Sequence, residues 1–253
     1  MTDLAHEGKS VVVTGAAGGM GRAIALAYAA AGASVIAADV NDDGLAETRA
    51  LYPDGAGTLV TRNCDVRNEQ AVADLVGQAA DKTGAIDILV NNAAMLGEWV
   101  PIAEQTSENL DRVFGVNVKG AIFGMKHALQ YMIPRKSGVI VNIASVQGFR
   151  VAYAGAAFYA ASKAALVSLT KSAAIENGQY GIRVVGLAPG PIDTPMLRSS
   201  AGEDWPPPII NDVPLAKIGQ VEDIARTVLW LSSNDAAYIS GATLPVDGGW
   251  LAV

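Results

Sequence analysis

The sequence predicts an α/β fold, a doubly wound parallel sheet of about seven strands with helices on both faces. Three observations carry this expectation. Short apolar, β-branched runs alternate with helical patterns along all 253 residues. The first run leads into a glycine-rich turn and then an alanine-rich helical pattern. No linker, repeat or low-complexity tract interrupts the alternation, so 1–253 reads as a single domain.

The strand candidates are 10–14, 34–39, 58–64, 86–90, 138–143, 183–187 and 243–246. Helical patterns fall at about 20–31, 43–50, 68–82, 107–134, 157–177 and 221–232. Parallel strands covered on both faces read as near-continuous Val/Ile/Leu runs, as in Val11-Val12-Val13. In open sheets of this kind, ligands bind beyond the carboxyl ends of the strands. The glycine loop, Asp39, Asp65, Asn91, Ser145 and Pro189 all fall at or just past predicted strand ends, so distant positions converge on one crevice.

The glycine turn reads Thr14-Gly15-Ala16-Ala17-Gly18-Gly19-Met20-Gly21. A strand, a glycine turn and a helix together form a Rossmann-type dinucleotide-binding unit. Gly15 permits the tight turn, Gly19 lets the backbone approach a pyrophosphate, and Gly21 allows close helix–strand packing. The helix N-terminus then offers unpaired N–H groups to phosphate. Asp39 ends the second run, where a carboxylate accepts hydrogen bonds from the ribose hydroxyls of NAD and repels the 2′-phosphate of NADP. Val40 and Asn41 follow it, and no basic residue lies in the glycine loop before Gly21, so NAD is the expected cofactor.

Tyr159 and Lys163 stand at i and i+4 in a helical pattern and share a face. An ammonium beside a phenol favours the phenolate, so Lys163 is expected to lower the pKa of Tyr159 and fit it for acid–base work. Ser145 lies a short stretch upstream. Asn117 interrupts a helical pattern with a poor helix former, which suggests a local kink.

Together these pieces resemble the short-chain dehydrogenase/reductase family in its compact form. The resemblance covers Lys9 to about Gly249. It rests, in order, on the 14–21 loop, Asp65-Val66, Asn91-Asn92-Ala93-Ala94, Asn117, Ser145, Tyr159 with Lys163, Pro189-Gly190 and Asp247-Gly248-Gly249. It implies that Tyr159 is the general acid–base, that Lys163 also holds the nicotinamide ribose, that Ser145 holds the substrate oxygen, and that Asn117 positions a water for a proton relay. It also implies cofactor contacts from Gly15, Gly19, Met20, Gly21, Asp39, Asp65, Val66, Asn91, Ala93, Pro189, Gly190, Ile192 and Thr194. Asp65 and Val66 would touch adenine, and Ile192 and Thr194 would clamp the nicotinamide amide. Two departures stand out: the interval from Ser145 to Tyr159 is one residue longer than the family's usual spacing, and Ala94 replaces the usual glycine.

The bulk properties exclude other classes. A net charge of −7 and a pI of about 4.8 argue against nucleic acid, anionic membranes and an acidic protein partner. No apolar run reaches a membrane span. The start of the chain lacks the pattern of a signal peptide, and the single Cys64 fits a reducing compartment, so a cytoplasmic protein is expected. His6 and His127 are isolated, and no metal-ligand cluster is visible.

The resemblance implies that residues 190–214 form a lid over the substrate; Leu197, Trp205, Ile209 and Ile210 within it are expected to cover an apolar, cyclic alcohol or ketone, with Leu96 and Trp99 forming the opposite wall. The wide apolar faces at 107–134 and 157–177 and the C-terminal Trp250-Leu251-Ala252-Val253 suggest subunit contacts, and the resemblance implies a homotetramer, with a dimer as the alternative. The leading reading is an NAD(H)-dependent alcohol–ketone oxidoreductase acting on a small molecule. The alternatives are a 3-oxoacyl-thioester reductase and a non-catalytic NAD(H)-binding sensor.

Overall fold

The computed structural model describes residues 6–52, 55–81, 84–201, 205 and 207–253. Its seven strands are β1 (Ser10–Thr14), β2 (Ser34–Asp39), β3 (Thr58–Asn63), β4 (Ile88–Asn91), β5 (Gly138–Ile143), β6 (Ile182–Pro189) and β7 (Thr243–Val246). They form one sheet in the order 3-2-1-4-5-6-7, with every neighbouring pair parallel. The helices are α1 (Gly19–Ala30), α2 (Asp42–Ala50), α3 (Glu69–Asp81), α4 (Ser107–Phe114), α5 (Gly120–Arg135), α6 (Ala157–Asn177), α7 (Pro195–Ala201) and α8 (Val221–Ser232).

Alternation along the strands divides the core into two layers. Val11, Val13, Val35, Val90 and Val185 face one way, against Ile24 and Tyr28 of α1 and Ile224, Val228 and Leu231 of α8. Val12, Ile36, Leu89, Ile140 and Val184 face the other way, against Leu75 and Val76 of α3 and Met125 and Met132 of α5. Both faces are therefore dry, which explains why the strand sequences are apolar without alternating. The turns into the helices are fixed by caps: Asn41 Oδ1 accepts from Gly44 N–H at 3.0 Å, and Thr106 Oγ1 accepts from Asn109 N–H at 3.1 Å.

Beyond one-residue shifts at element ends, four features differ from the sequence expectation. The helical pattern 107–134 is broken by a π-turn, Gly115–Lys119, in which Gly120 N–H reaches back to Gly115 O. The kink expected at Asn117 is therefore present. The fourth strand begins at Ile88 and includes Asn91. The sixth extends to Pro189. Residues 190–214 are not structureless, since they hold α7 and a 3₁₀ turn, Pro208–Asp212. The chain start through Ala5, the end of the 68–82 pattern at Lys82, and Pro206 of the 190–214 stretch lie outside the described residues. Among the described residues no helix is long and apolar enough to cross a membrane.

Candidate active site

A cleft of about 1390 Å³ opens at the carboxyl ends of the strands. Its floor joins the glycine loop, Asp39, Ser145, Tyr159, Lys163 and the segment after β6. A smaller cavity of about 830 Å³ lies at the opposite ends of the strands, beside His6, Lys9, Asp87 and Arg183, and holds none of the predicted site residues.

One end of the cleft has the form of a phosphate cradle. Gly15 takes φ +69, and a Cβ there would come within 2.7 Å of Ala93 Cα. A Cβ on Gly21 would strike the Gly15 carbonyl oxygen. Asn92 pins this turn, its Nδ2 donating to Thr14 O at 2.9 Å and Gly15 O at 3.1 Å. The first turn of α1, Gly19-Met20-Gly21, carries neither a side-chain cap nor an acidic residue. Its N–H groups and the positive end of the helix dipole are therefore available to an anion. Asp39 is held by Ala17 N–H on Oδ2 and by Asn41 N–H on Oδ1, each at 3.1 Å. These features fit the pyrophosphate and ribose of a dinucleotide.

Arg22 also lines this end, and sequence reasoning missed it. Its Nε donates to Thr48 Oγ1 at 3.0 Å, and its Nη2 faces Ala17 O at 2.5 Å, Gly44 O at 3.2 Å and Glu47 Oε2 at 2.7 Å. Its position directly after Gly21 was the one available signal.

Further along the cleft, α6 presents Tyr159 and Lys163 one turn apart, opposite Ser145 at the end of β5. The Ser145 hydroxyl stands near enough to the Tyr159 phenol to favour its ionised form. Lys163 is buried, with Nζ donating to Ile143 O at 2.8 Å and lying 5.7 Å from the Tyr159 ring centre. Burial raises the Tyr159 phenol above its ordinary value, and the Ser145 hydroxyl only partly opposes this. Burial also lowers Lys163 from 10.5 to about 7. The expected lowering of Tyr159 by Lys163 is thus not found. The lysine sits in the same dry environment, its ammonium turned to a carbonyl, and is itself only partly charged near neutral pH.

Asn117 is buried in the π-turn and does not line the cleft. Its Oδ1 accepts from Met95 N–H at 2.8 Å, and its Nδ2 donates to Met95 O at 3.0 Å and Ser162 Oγ at 2.9 Å. Ser162 in turn donates to Tyr159 O at 2.7 Å. The side chain clasps the loop after β4 to α6, which leaves it no free donor for a water.

Of the other predicted residues, Gly15, Gly19, Met20, Gly21, Asp39, Pro189, Gly190, Ile192 and Thr194 line the cleft, whereas Asp65, Val66, Asn91 and Ala93 do not. Asp65 is turned to Arg67, 2.7 Å away, which holds its carboxyl below the usual range. Val66 is buried, close enough to Gly120 that a Cβ there would lie 2.7 Å from Val66 Cγ2. Asn91 donates to Asn142 Oδ1 at 2.9 Å inside the sheet. Ala93 backs the Gly15 turn, its N–H donating to Thr14 Oγ1 at 3.1 Å.

The remaining wall is aromatic. Trp99 and Tyr153 stand 5.4 Å apart, and Tyr153 and Trp250 stand 6.3 Å apart, measured between ring centres. Leu96, Met196, Leu197, Pro207 and Ile209 complete it. Trp205 does not line the cleft; Arg198, ion-paired with Asp193 at 2.6 Å, lies 4.3 Å over its ring. Tyr153, Gln147 and Trp250 were not foreseen as wall residues. Trp250 was expected at a subunit contact, but it is buried against Val146 and Val213. Cys64 is buried, with its thiol pushed up to about 11, as befits a small hydrophobe. No group of metal-binding side chains occurs among the described residues.

A family model described as enoyl-(acyl carrier protein) reductase matches residues 15–251. The chain is 35% identical over 252 residues to levodione reductase of Leifsonia aquatica, covering 94% of this chain and 92% of that protein. The crystal structure of levodione reductase matches with a TM-score of 0.92 over 97% of this chain and 98% of that one. The 2,5-dichloro-2,5-cyclohexadiene-1,4-diol dehydrogenase of Sphingobium indicum is 36% identical over 256 residues, the full length of both. An NAD⁺-bound xylitol dehydrogenase structure is 30% identical with a TM-score of 0.90, covering 96% and 99%. Likeness of this extent, carried on the same seven-stranded sheet, identifies the chain as an oxidoreductase of the short-chain dehydrogenase/reductase family.

Proposed function

We propose that the protein is an NAD(H)-dependent oxidoreductase that interconverts a secondary alcohol and a ketone on an apolar, cyclic frame. The observation that carries this reading is the meeting of Ser145, Tyr159 and Lys163 in the same cleft as the glycine cradle. The bound nicotinamide cofactor supplies or accepts the hydride. The cradle of Gly15, Gly19, Met20 and Gly21 would hold its pyrophosphate, Asp39 its ribose, and Pro189, Gly190, Ile192 and Thr194 its nicotinamide end. Preference for NAD rests on Asp39, whose carboxylate would accept from the ribose hydroxyls and repel a 2′-phosphate, and on the ion pair that draws Arg22 toward Glu47.

In ketone reduction Tyr159 gives its hydroxyl proton to the substrate oxygen while Ser145 holds that oxygen. Burial keeps the phenol protonated near neutral pH, the form that reduction needs. Alcohol oxidation needs the same proton removed, so its rate should climb with pH. Lys163, when charged, favours that removal. Asn117 acts as a positioning residue, tying the loop at Met95 to the helix that carries Tyr159.

The aromatic wall of Trp99, Tyr153 and Trp250 suits a flat or cyclic substrate. Relatives named for levodione and for a cyclohexadiene diol point the same way. Within the single domain, residues 190–214 act as its lid, through Met196, Leu197, Pro207 and Ile209 rather than Trp205. An acyl-carrier substrate, which the description of the family model names, would require attraction to an acidic partner, and a net charge of −7 opposes that. Exposed Leu110, Ile122 and Ile175 on α4, α5 and α6 support a homotetramer, which light scattering tests. The functional test is absorbance of reduced nicotinamide across a panel of cyclic, aryl, steroidal and short-chain ketones and alcohols, each with NAD(H) and NADP(H). Turnover of the cyclic members with NAD(H) is expected, and a preference for NADP(H) would overturn the cofactor assignment.

A further inference from the structure

Two residues past Ser145, the 3₁₀ turn Val146–Gly148 carries Gln147 into the substrate end of the cleft. Both ends of this residue are fixed. Its backbone N–H donates to Ser145 Oγ at 3.1 Å, and its side-chain Oε1 accepts from Ala152 N–H at 3.0 Å. The second bond draws the lengthened loop between Ser145 and Tyr159 back onto the glutamine. It also fixes which end of the amide is which, because a backbone N–H must face the oxygen. The amide nitrogen is therefore directed elsewhere.

That nitrogen has no hydrogen-bond partner among the described residues, and it is not one of the sealed, unpaired polar atoms. It consequently keeps contact with open space, and for a side chain this buried the open space is the cleft. The same cleft is lined by Tyr153, Trp250, Leu197 and Ile209, with Asn211 and Asp212 as polar members of its wall. A preorganised donor set in an apolar wall is the usual means by which a pocket selects for one polar group on its ligand. Ser145 and Tyr159 already serve the reacting oxygen, so this donor remains for another.

We propose that Gln147 is a specificity-determining residue that donates an amide N–H to a second oxygen on the substrate, so that diketones, hydroxyketones and diols are preferred over their monofunctional counterparts. The inference rests on the alcohol–ketone reading above and adds to it the class of substrate. Leaving a buried donor unpaired lowers the efficiency of the analogue that lacks the acceptor, by about tenfold in kcat/KM for one neutral hydrogen bond.

The test compares the wild-type enzyme with Gln147→Glu, using cyclohexanone and the 1,2- and 1,4-cyclohexanediones as probes with NADH. Glutamate keeps the length of the side chain and an oxygen for Ala152 N–H, but replaces the donor with an anionic acceptor. Wild type should favour at least one dione over cyclohexanone by about tenfold in kcat/KM. Gln147→Glu should collapse that ratio, chiefly through KM for the dione. A merely structural glutamine would lower both ketones in proportion and leave the ratio intact, which would overturn the proposal. Equal use of mono- and diketones by wild type would also overturn it while leaving the alcohol–ketone reading standing. No turnover of any ketone or alcohol by wild type with either cofactor would overturn that reading, and Gln147 with it.

Discussion

Replacing Lys163 by methionine should stabilise the protein near neutral pH while removing its activity. The lysine is buried, and burial takes its pKa from 10.5 in the unfolded chain to about 7 in the fold. Between those values the unfolded chain binds more protons than the native state, so stability rises with pH across the window and falls as pH drops toward 7. The slope from one such group is at most about 1.4 kcal/mol per pH unit. From about pH 7 to about pH 8.5 the wild type should therefore gain up to about 2 kcal/mol, or about 4–8 °C in Tm for a chain of this size. Lys163→Met has no charge to desolvate and loses only the bond to Ile143 O, worth about 1 kcal/mol. The assay is thermal unfolding of both proteins across that window, below the range where Cys64, pushed up to about 11, begins to act with the opposite sign. The Tm of the variant should start higher at about pH 7 and the gap should close as pH rises. A gap that stays constant across the window would refute the claim that the lysine charge is penalised by burial.

Three further outcomes follow from the site. Asp39→Ser, which removes the carboxylate proposed to hold the ribose, should raise KM for NADH about tenfold or more and improve use of NADPH, measured as the ratio of kcat/KM with the two cofactors. An unchanged ratio would leave Asp39 without its assigned role. Asn117→Ala removes the side-chain partners of Met95 N–H and Met95 O and the bond to Ser162, so it should cost about 2 kcal/mol in denaturant unfolding and also lower kcat, because Ser162 is bonded to the backbone of Tyr159. In the proposed lid at 190–214, Ile209→Ala should raise KM for cyclic ketones while Trp205→Ala leaves it unchanged, since of the two only Ile209 lines the cleft; the reverse pattern would contradict that proposal.

What the sequence made legible was local. Glycines that must turn or admit a close neighbour, an i,i+4 pair on one helix, and acids at strand ends all depend on a few consecutive residues, and the structure brings Gly15, Gly21, Asp39, Tyr159 and Lys163 to one cleft. Less legible was anything set by one residue of register. Because β4 runs through Asn91 rather than stopping at Val90, Asn91 points into the sheet toward Asn142, and Asn92 reaches the glycine turn instead. Asp65 was drawn aside by Arg67, two residues on. Long-range partners left no local trace. Trp250 and Tyr153 meet across nearly a hundred residues of chain, and Glu47 neutralises Arg22 from a different helix. The sign of the Tyr159 shift was missed because spacing reveals the proximity of a charge, whereas the pKa also depends on burial.

The most direct test of the account is Tyr159→Phe, assayed for turnover of a ketone that the wild type reduces and, in parallel, for NADH binding by fluorescence. The account predicts a loss of about 10²–10⁴-fold in turnover with NADH affinity retained, since phenylalanine keeps the ring and removes only the hydroxyl whose proton is transferred. Substantial turnover in that variant would contradict it.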